Sequence, residues 1–258
     1  MKLVVGLVEG ESKTGELEGG RFLELTGDVF SDGRRTGRAH DLDQVKLESP
    51  FQPGKTFCLL RGWNPADGSP PDPPRPPRVT PKVPSWITGD RADIVIPPYL
   101  TKPIWIEVEL AVVIGRSIHQ ATLDEARAAV FGFTCFHDVT AYEYLADGDM
   151  FRAKSIETFA SMGPCINTDI TERDIENGIR LEARINGQTV RVADSKYLKY
   201  RPSEVIHEVS KFTRLLPGDV ISFGAPLPSP PPEGFPGDMV ELEIEGIGIL
   251  RNSVVGAT

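Results

Sequence analysis

The chain has 258 residues, of which 40% are hydrophobic and 25% are charged, and its formal net charge is −9. This composition is ordinary for a soluble globular protein, and the acidic balance argues against a nucleic-acid binder, which needs basic residues to neutralise phosphates. No apolar run is long enough to cross a membrane, and the three cysteines are too widely spaced for a disulfide framework or a zinc site. We therefore expect a cytoplasmic protein that binds neither membranes nor nucleic acid.

Residues 1–50 are predicted to form a small β-rich domain, and residues 51–258 a larger second domain. An apolar run at 3–5 is followed by a glycine turn at 18–20, and residues 21–25 then alternate between apolar and polar. The 25 glycines and 23 prolines indicate many short strands joined by turns throughout the chain. The sequence therefore predicts a mostly β fold.

A proline-rich segment follows at residues 64–84. It contains nine prolines and neither histidine nor glutamate. Because proline lacks an amide proton and has a fixed φ, this segment cannot form an interior helix or a central strand. Two interpretations stay open, a solvated extended loop and a lid over a functional site, in which Arg75 or Arg78 would bind a substrate carboxylate.

The pattern in the middle of the chain is more regular. Residues 105–110 alternate and residues 111–114 are continuously apolar, which predicts a strand that enters a core. Thr122 and Glu125 have the spacing of a capping box and predict the start of a short helix, and residues 131–136 predict the next strand.

A second helix is predicted from Pro202 or Ser203 to about Arg214. Its predicted apolar stripe consists of Val205, Ile206, Val209 and Phe212. Residues 239–245 alternate again and predict a late strand.

Two glutamates stand at the head of the predicted central strand. Glu107 and Glu109 are two residues apart, so their side chains point to the same face of a strand. They are either metal ligands or part of a solvated strand face. The apolar run that follows at 111–114 makes a fully exposed face less consistent with the sequence.

Several ordered segments together resemble the fumarylacetoacetate hydrolase family. They are IEVELAVVIG (106–115), FGFTCFHDVTA (131–141), RAKSIETF (152–159), MGP (162–164), ARINGQTVR (183–191), LLPGDVISFGAP (215–226) and FPGDMVELEIEGIGILRN (235–252). The resemblance spans about residues 50–258, and residues 1–50 resemble the small N-terminal domain that many members carry.

The resemblance implies a rolled mixed β-sheet with few short helices, of mostly β (α+β) class, in a homodimer. It also implies three metal ligands, Glu107, Glu109 and Asp138, and a lysine beside the metal, Lys154. Carboxylates are hard oxygen ligands and suit Mg²⁺, Mn²⁺ or Ca²⁺. Glu157 stands where the family usually has aspartate, and we expect it to orient the groups that hold the metal.

The activity that the resemblance implies is cleavage of a C–C bond in a 2-oxo acid or β-dicarbonyl acid, by hydrolysis in most members. Hydrolytic members carry a His-x-x-Glu pair on a lid that activates water, and the segment that follows Asn64 has no such pair. The absence of this pair from the segment favours decarboxylation or tautomerisation of a similar acid. A third alternative is a non-catalytic relative that binds a metal or a ligand.

Other positions also depart from the family pattern. Ala225 replaces a threonine, Tyr142 stands where arginine is common, and Arg191 stands where a glutamine often contacts substrate. Together with Arg75 and Arg78, these residues are our candidates for substrate binding.

His137 is a candidate catalytic residue, as is Lys154. It precedes the expected ligand Asp138, and neighbours on a strand point to opposite faces. His137 is therefore either a packed residue behind the site or, if the chain turns at Asp138, a residue that faces the site.

Overall fold

A computed structural model describes residues 1–66, 75–228 and 230–257. The middle of the proline-rich segment, and the prediction of an extended lid made for it, lie outside these described residues. The flanking parts, 64–66 and 75–84, are described and contain no helix.

Strands are the most abundant secondary structure in the described chain. They are β1 (Lys2–Val8), β2 (Glu11–Glu18), β3 (Arg21–Thr26), β4 (Arg34–Asp41), β5 (Lys46–Leu47), β6 (Thr56–Leu59), β7 (Val79–Pro81), β8 (Asp93–Ile96), β9 (Ile104–Trp105), β10 (Val108–Ile114), β11 (Val130–Asp138), β12 (Thr140–Ala141), β13 (Ala160–Asn167), β14 (Arg180–Ile185), β15 (Gln188–Asp194), β16 (Val220–Ser222), β17 (Glu233–Gly234), β18 (Met239–Ile244) and β19 (Gly248–Gly256). The predicted mostly β class is confirmed.

The helices are short. They are α1 (Leu123–Arg127), α2 (Tyr142–Ala146), α3 (Met150–Lys154), α4 (Glu172–Asn177) and α5 (Pro202–Ser210), with 3₁₀ turns at Leu42–Gln44 and Ser195–Tyr197. Among the described residues, no helix has the length and apolar character needed to span a membrane.

Three sheets build the fold. The main sheet has eleven strands in the order β4-β3-β2-β1-β13-β11-β10-β16-β6-β7, with β5 paired to β1. It is mixed, because β16 and β6 run parallel whereas β10 and β11 run antiparallel. A five-stranded sheet has the order β15-β14-β18-β19-β8, and β12, β9 and β17 form a third.

The N-terminal segment is part of the main sheet. Its first strand pairs with β13, where Lys2 is opposite Asn167 and Leu3 is opposite Ile166. The two segments predicted as separate domains therefore share one continuous sheet.

Strand β10 lies in the middle of the main sheet and separates two apolar cores. All of its seven residues are buried. Leu110 and Val112 pack into one core and Ala111 and Val113 into the other, as the two-residue period of a strand requires. This explains why the run is apolar without alternation.

The predicted central strand is interrupted. Residues 104–105 belong to β9 in the third sheet, and β10 begins only at Val108. The single strand predicted from residue 105 was therefore wrong at its start. The period-2 pattern of residues 105–110 did not show that the chain changes sheets there.

The capping box at Thr122 and Glu125 is present at the start of α1, as predicted. Helix α5 begins at Pro202 but ends at Ser210, four residues before the predicted end. Phe212 is 80% exposed because it lies beyond the helix, so its place on the apolar stripe was wrong.

Candidate active site

Two strand ends bring three carboxylates together. In the β10–β11 ladder Glu109 is opposite Phe136, so side chains at positions 109, 136 and 138 share a face. The amide of Asp138 donates to the carbonyl oxygen of Glu107 at 3.1 Å, which continues the pairing past the end of β10. Glu107, Glu109 and Asp138 therefore face the same cavity, whose volume is about 370 Å³.

Lys154 lies at the end of α3 and joins two of these carboxylates. Its Nζ donates to Asp138 Oδ2 at 2.6 Å, to Thr140 Oγ1 at 2.6 Å and to Glu107 Oε2. The ammonium is buried, and an unpaired charge there would be costly, so these bonds hold it in place.

Lys82 is a second buried lysine at the same carboxylate. Its Nζ lies 2.6 Å from Asp138 Oδ1 and donates to the carbonyl oxygen of Val139 at 2.9 Å. Its side chain is 0% exposed. Asp138 is therefore held between two ammonium groups.

Sequence reasoning did not find Lys82. It follows β7 at the end of the proline-rich segment, where a lysine is expected to be solvated. The available signal was its separation of two residues from Thr80, which is also buried. In a strand, residues two apart share a face, so recognition of β7 would have placed Lys82 on the inner side.

The lysines determine the charge of Asp138. Burial alone would raise the pKa of Asp138, but Lys154 and Lys82 outweigh it and lower the pKa to about 2. Burial would in turn lower the pKa of Lys154, and the charges of Asp138 and Glu107 overcome this and raise it. Asp138 is thus a carboxylate and Lys154 an ammonium at neutral pH.

Glu109 has the opposite environment. It is 1% exposed, and its Oε2 accepts a bond from the amide of Gly224 at 3.0 Å. Burial, and then the negative charges of Asp138 and Glu107, raise its pKa well above the ordinary value. A positive charge bound beside Glu109 would therefore be stabilised by these carboxylates.

This donor set fits a hard divalent cation. Oxygen atoms of Glu109 and Asp138 and the sulfur of Cys58 lie within 4.8 Å of one another. Burial raises the pKa of the Cys58 thiol well above its usual value, so the sulfur stays protonated and is a poor ligand. The carboxylates are consequently the groups suited to Mg²⁺, Mn²⁺ or Ca²⁺.

The walls of the cavity are mostly apolar. Trp63 and Trp105 line it together with Ala225 and the neighbouring prolines of the loop after β16. The indole Nε1 of Trp63 donates to the carbonyl oxygen of Gly224 at 2.6 Å and ties one wall to that loop. A bound substrate would thus be shielded from water on several sides.

The structure brings the predicted metal ligands, Lys154 and Ala225 into one cavity. Tyr142 lies next to it, because its ring stacks on Trp105 with centroids 4.3 Å apart. Arg191 donates to the carbonyl oxygen of Pro230 at 3.1 Å and does not line the cavity. Arg75 and Arg78 line an adjoining cavity.

Glu157 does not reach the three carboxylates. Its Oε1 accepts a bond from the amide of Ser85 at 2.8 Å, so it fixes the chain three residues after Lys82. Any influence on the site passes through that segment and does not involve direct contact with a ligand.

His137 lies behind the site, which is the first of the two alternatives that the sequence left open. It is opposite Val108 in the ladder and so points to the face away from Glu109. Its Nδ1 lies 3.0 Å from Asn252 Oδ1, and both donors of that amide are used by the carbonyl oxygens of Gly89 and Ala92. Asn252 Oδ1 is therefore an acceptor and His137 Nδ1 carries the proton. Burial lowers the pKa of His137 to about 4, so the ring is neutral.

Residues 59–255 match the family model described as "Fumarylacetoacetate (FAA) hydrolase C-terminal". The chain belongs to the fumarylacetoacetate hydrolase family. Residues 1–50 match a further model described as "Rv2993c-like, N-terminal". The resemblance of the motifs to this family is confirmed.

Individual relatives in the family differ in their described activities. The mitochondrial oxaloacetate tautomerase Fahd2a of Rattus norvegicus is 32% identical over 250 residues, 91% of this chain and 79% of the relative. An uncharacterised protein of Methanocaldococcus jannaschii is 40% identical over 165 residues, 63% of this chain and 66% of the relative, so the match covers slightly less than two thirds of its length. The solved structure of 5-carboxymethyl-2-hydroxymuconate delta-isomerase from Mycobacterium smegmatis has a TM-score of 0.88 at 28% identity, with all of both chains covered.

Proposed function

We propose that this protein is a divalent-metal-dependent tautomerase or isomerase that shifts a proton between the enol and keto forms of a 2-oxo acid. The observation that carries the proposal is the arrangement of Lys154 and Lys82 around Asp138, beside Glu107 and Glu109, in one partly enclosed cavity. These groups are suited to stabilise an enolate, the intermediate that keto and enol forms share.

Each residue has a role in this proposal. Glu107, Glu109 and Asp138 would hold the cation, which when bound supplies a Lewis acid for the negative oxygen of the substrate. Lys154 stays an ammonium, and its positive charge beside the three carboxylates would stabilise that oxygen electrostatically. Lys82 compensates the charge of Asp138 and keeps its carboxylate oriented, and the two tryptophans line one wall of the cavity. The cavity is open on one side, so solvent would take the proton from the enol oxygen and supply the proton that the carbon gains.

Proton shift is favoured over hydrolysis because hydrolysis requires an activated water. Among the described residues that line the cavity, none is a histidine, and His137 is turned to the opposite face. The segment 64–84 contains neither histidine nor glutamate. The similarity to a tautomerase and to an isomerase supports the same choice.

The test is to incubate the protein and Mg²⁺ with the enol form of oxaloacetate and with an acylpyruvate, and to follow both by proton NMR and product mass. We expect faster ketonisation without a change in mass. Addition of water would instead show the C–C hydrolysis that the family resemblance implies, and loss of CO₂ would show decarboxylation.

A variant pair links the activity to the site. Lys154→Met should lower the rate of ketonisation by about 100-fold, because it removes a buried positive charge that stabilises the developing oxyanion. Lys102→Met is the matched control, because Lys102 is exposed and outside the cavity. Equal rates in both variants would contradict the role of Lys154.

The homodimer and the choice of Mg²⁺ over Mn²⁺ or Ca²⁺ remain predictions. Analytical ultracentrifugation would give the oligomeric state, and activity after removal of metal and readdition of each ion would give the preferred cation.

A further inference from the structure

Arg61 lies at the boundary between two cavities. The acidic cavity shares Leu60 and Arg61 with a second cavity of about 320 Å³. Arg75 and Arg78 also line this second cavity. Arg61 therefore borders the proposed reaction site, and the other two arginines line the cavity that adjoins it.

The backbone of Arg61 is held in an unfavourable conformation. Its φ is +55°, a region that residues other than glycine rarely adopt. The next residue has no space for a side chain, because a Cβ at Gly62 would lie 2.1 Å from the carbonyl oxygen of Phe223. The amide of Lys199 donates to the carbonyl oxygen of Gly62 at 2.8 Å. Strain of this kind is often retained where a side chain has a function, and Arg61 is held in place by these backbone contacts.

Arg75 and Arg78 are also fixed by their backbones. The hydroxyl of Tyr200 donates to the carbonyl oxygen of Arg75 at 2.8 Å, and the amide of Leu60 donates to that of Arg78 at 2.7 Å. Prolines occupy both positions between the two arginines and restrict φ there. This stretch therefore holds its arginines beside the cavity.

The charges of these three arginines are not neutralised by the described part of the protein. Their side chains are exposed, and no carboxylate of residues 1–66, 75–228 or 230–257 lies within 4.0 Å of their guanidinium nitrogens. Other arginines of the protein do form ion pairs, because Arg35 and Arg184 each contact a glutamate. A guanidinium presents a fork of donors that matches a carboxylate.

We propose that Arg61, Arg75 and Arg78 form a subsite for the far carboxylate of a dianionic substrate, whose 2-oxo acid end lies at the carboxylates and Lys154. The proposal rests on the proposed function for the position of the oxo-acid end. It makes Arg61 the residue that selects an elongated 2-oxo diacid over the corresponding mono-acid.

Binding of a matched pair of acids tests the subsite without any reaction. 2-Oxoadipate and 2-oxohexanoate have six carbons each and differ in their far end, a carboxylate in the first and a methyl group in the second. Calorimetric titration into the full chain with saturating Mg²⁺ should show at least about tenfold tighter binding of the diacid, as expected for a charge-assisted hydrogen bond. Arg61→Gln and Arg78→Gln should each remove most of this preference for the diacid. Arg61→Lys keeps a positive charge and should retain part of the preference.

The control is Arg116→Gln, because Arg116 is exposed and lines neither cavity. It should leave the preference unchanged. Equal affinity of the two acids for the parent protein, no binding of either, or equal loss of both in the Arg61 and Arg78 variants would overturn the proposal. A preserved preference for the diacid in a protein that does not ketonise oxaloacetate would instead overturn the proposed function and leave the subsite standing.

Discussion

His137 gives a prediction about stability that depends on pH. The ring is 0% exposed and neutral, and its pKa is lowered by burial from 6.5 to about 4. In the unfolded chain the ring regains its ordinary pKa. Between these two values the unfolded state binds a proton that the folded state does not, so acid favours unfolding.

The sign and size follow from this difference. A group whose pKa is depressed by folding stabilises the protein fully above its unfolded pKa, and the stabilisation is lost as pH falls toward the folded value. The window is therefore pH 6.5 down to about 4. With about 1.4 kcal/mol for each pKa unit, His137 alone should cost about 2 kcal/mol of folding free energy at pH 5 relative to pH 7.5, and about 3 kcal/mol below pH 4.

The assay is urea unfolding of the parent and of His137→Gln at pH 7.5, 6 and 5, with excess EDTA in every solution so that metal binding does not contribute. Other groups titrate in both proteins, so the difference between the two curves isolates His137. The parent should lose about 2 kcal/mol more than the variant between pH 7.5 and 5. Parallel dependence on pH in the two proteins would refute the reasoning. Should His137→Gln not fold, His137→Asn provides the same comparison.

Two further predictions concern the carboxylates. Because Glu107, Glu109 and Asp138 share one site, millimolar Mg²⁺ or Mn²⁺ should raise the melting temperature relative to excess EDTA. At a metal concentration of a hundred times Kd, the gain in folding free energy should be about 3 kcal/mol, and Glu109→Gln should reduce it. Equal melting temperatures with and without metal would contradict the site. Lys82→Met should destabilise the protein by about 2–4 kcal/mol in urea unfolding at pH 7.5, because it leaves Asp138 with Lys154 as its remaining cation, whereas Lys102→Met should change stability by less than about 0.5 kcal/mol. A similar small effect of both lysine substitutions would show that the Lys82 pair is not important for stability.

Much of the site was predictable because it depends on the two-residue period of strands. Glu107 and Glu109 share a face, and the same period turns His137 away from Asp138, one of the two alternatives the sequence left open. The capping box of α1 was equally readable, since its two bonds form between residues three apart. These features depend on neighbours along the chain.

The features that were missed depend on residues far apart in the sequence. Lys82 is buried because Asp138 neutralises its charge and the carbonyl oxygen of Val139 accepts a hydrogen bond from it, and both partners lie far from Lys82 along the chain. The end of α5 also depends on a distant residue. The chain turns back after Ser210 so that Leu215 can pair with Ile118, and this leaves Phe212 in solvent. Local periodicity does not contain that information.

The two ends of the main sheet limit how the protein can assemble. At one end β4 carries Arg34, Arg35 and Arg38, which are exposed, and at the other β7 ends in Pro81, which has no amide proton to donate. Charged side chains and proline are common means of preventing a further strand from adding to an open edge. These two edges therefore disfavour binding of a second copy of this chain by continuation of the main sheet.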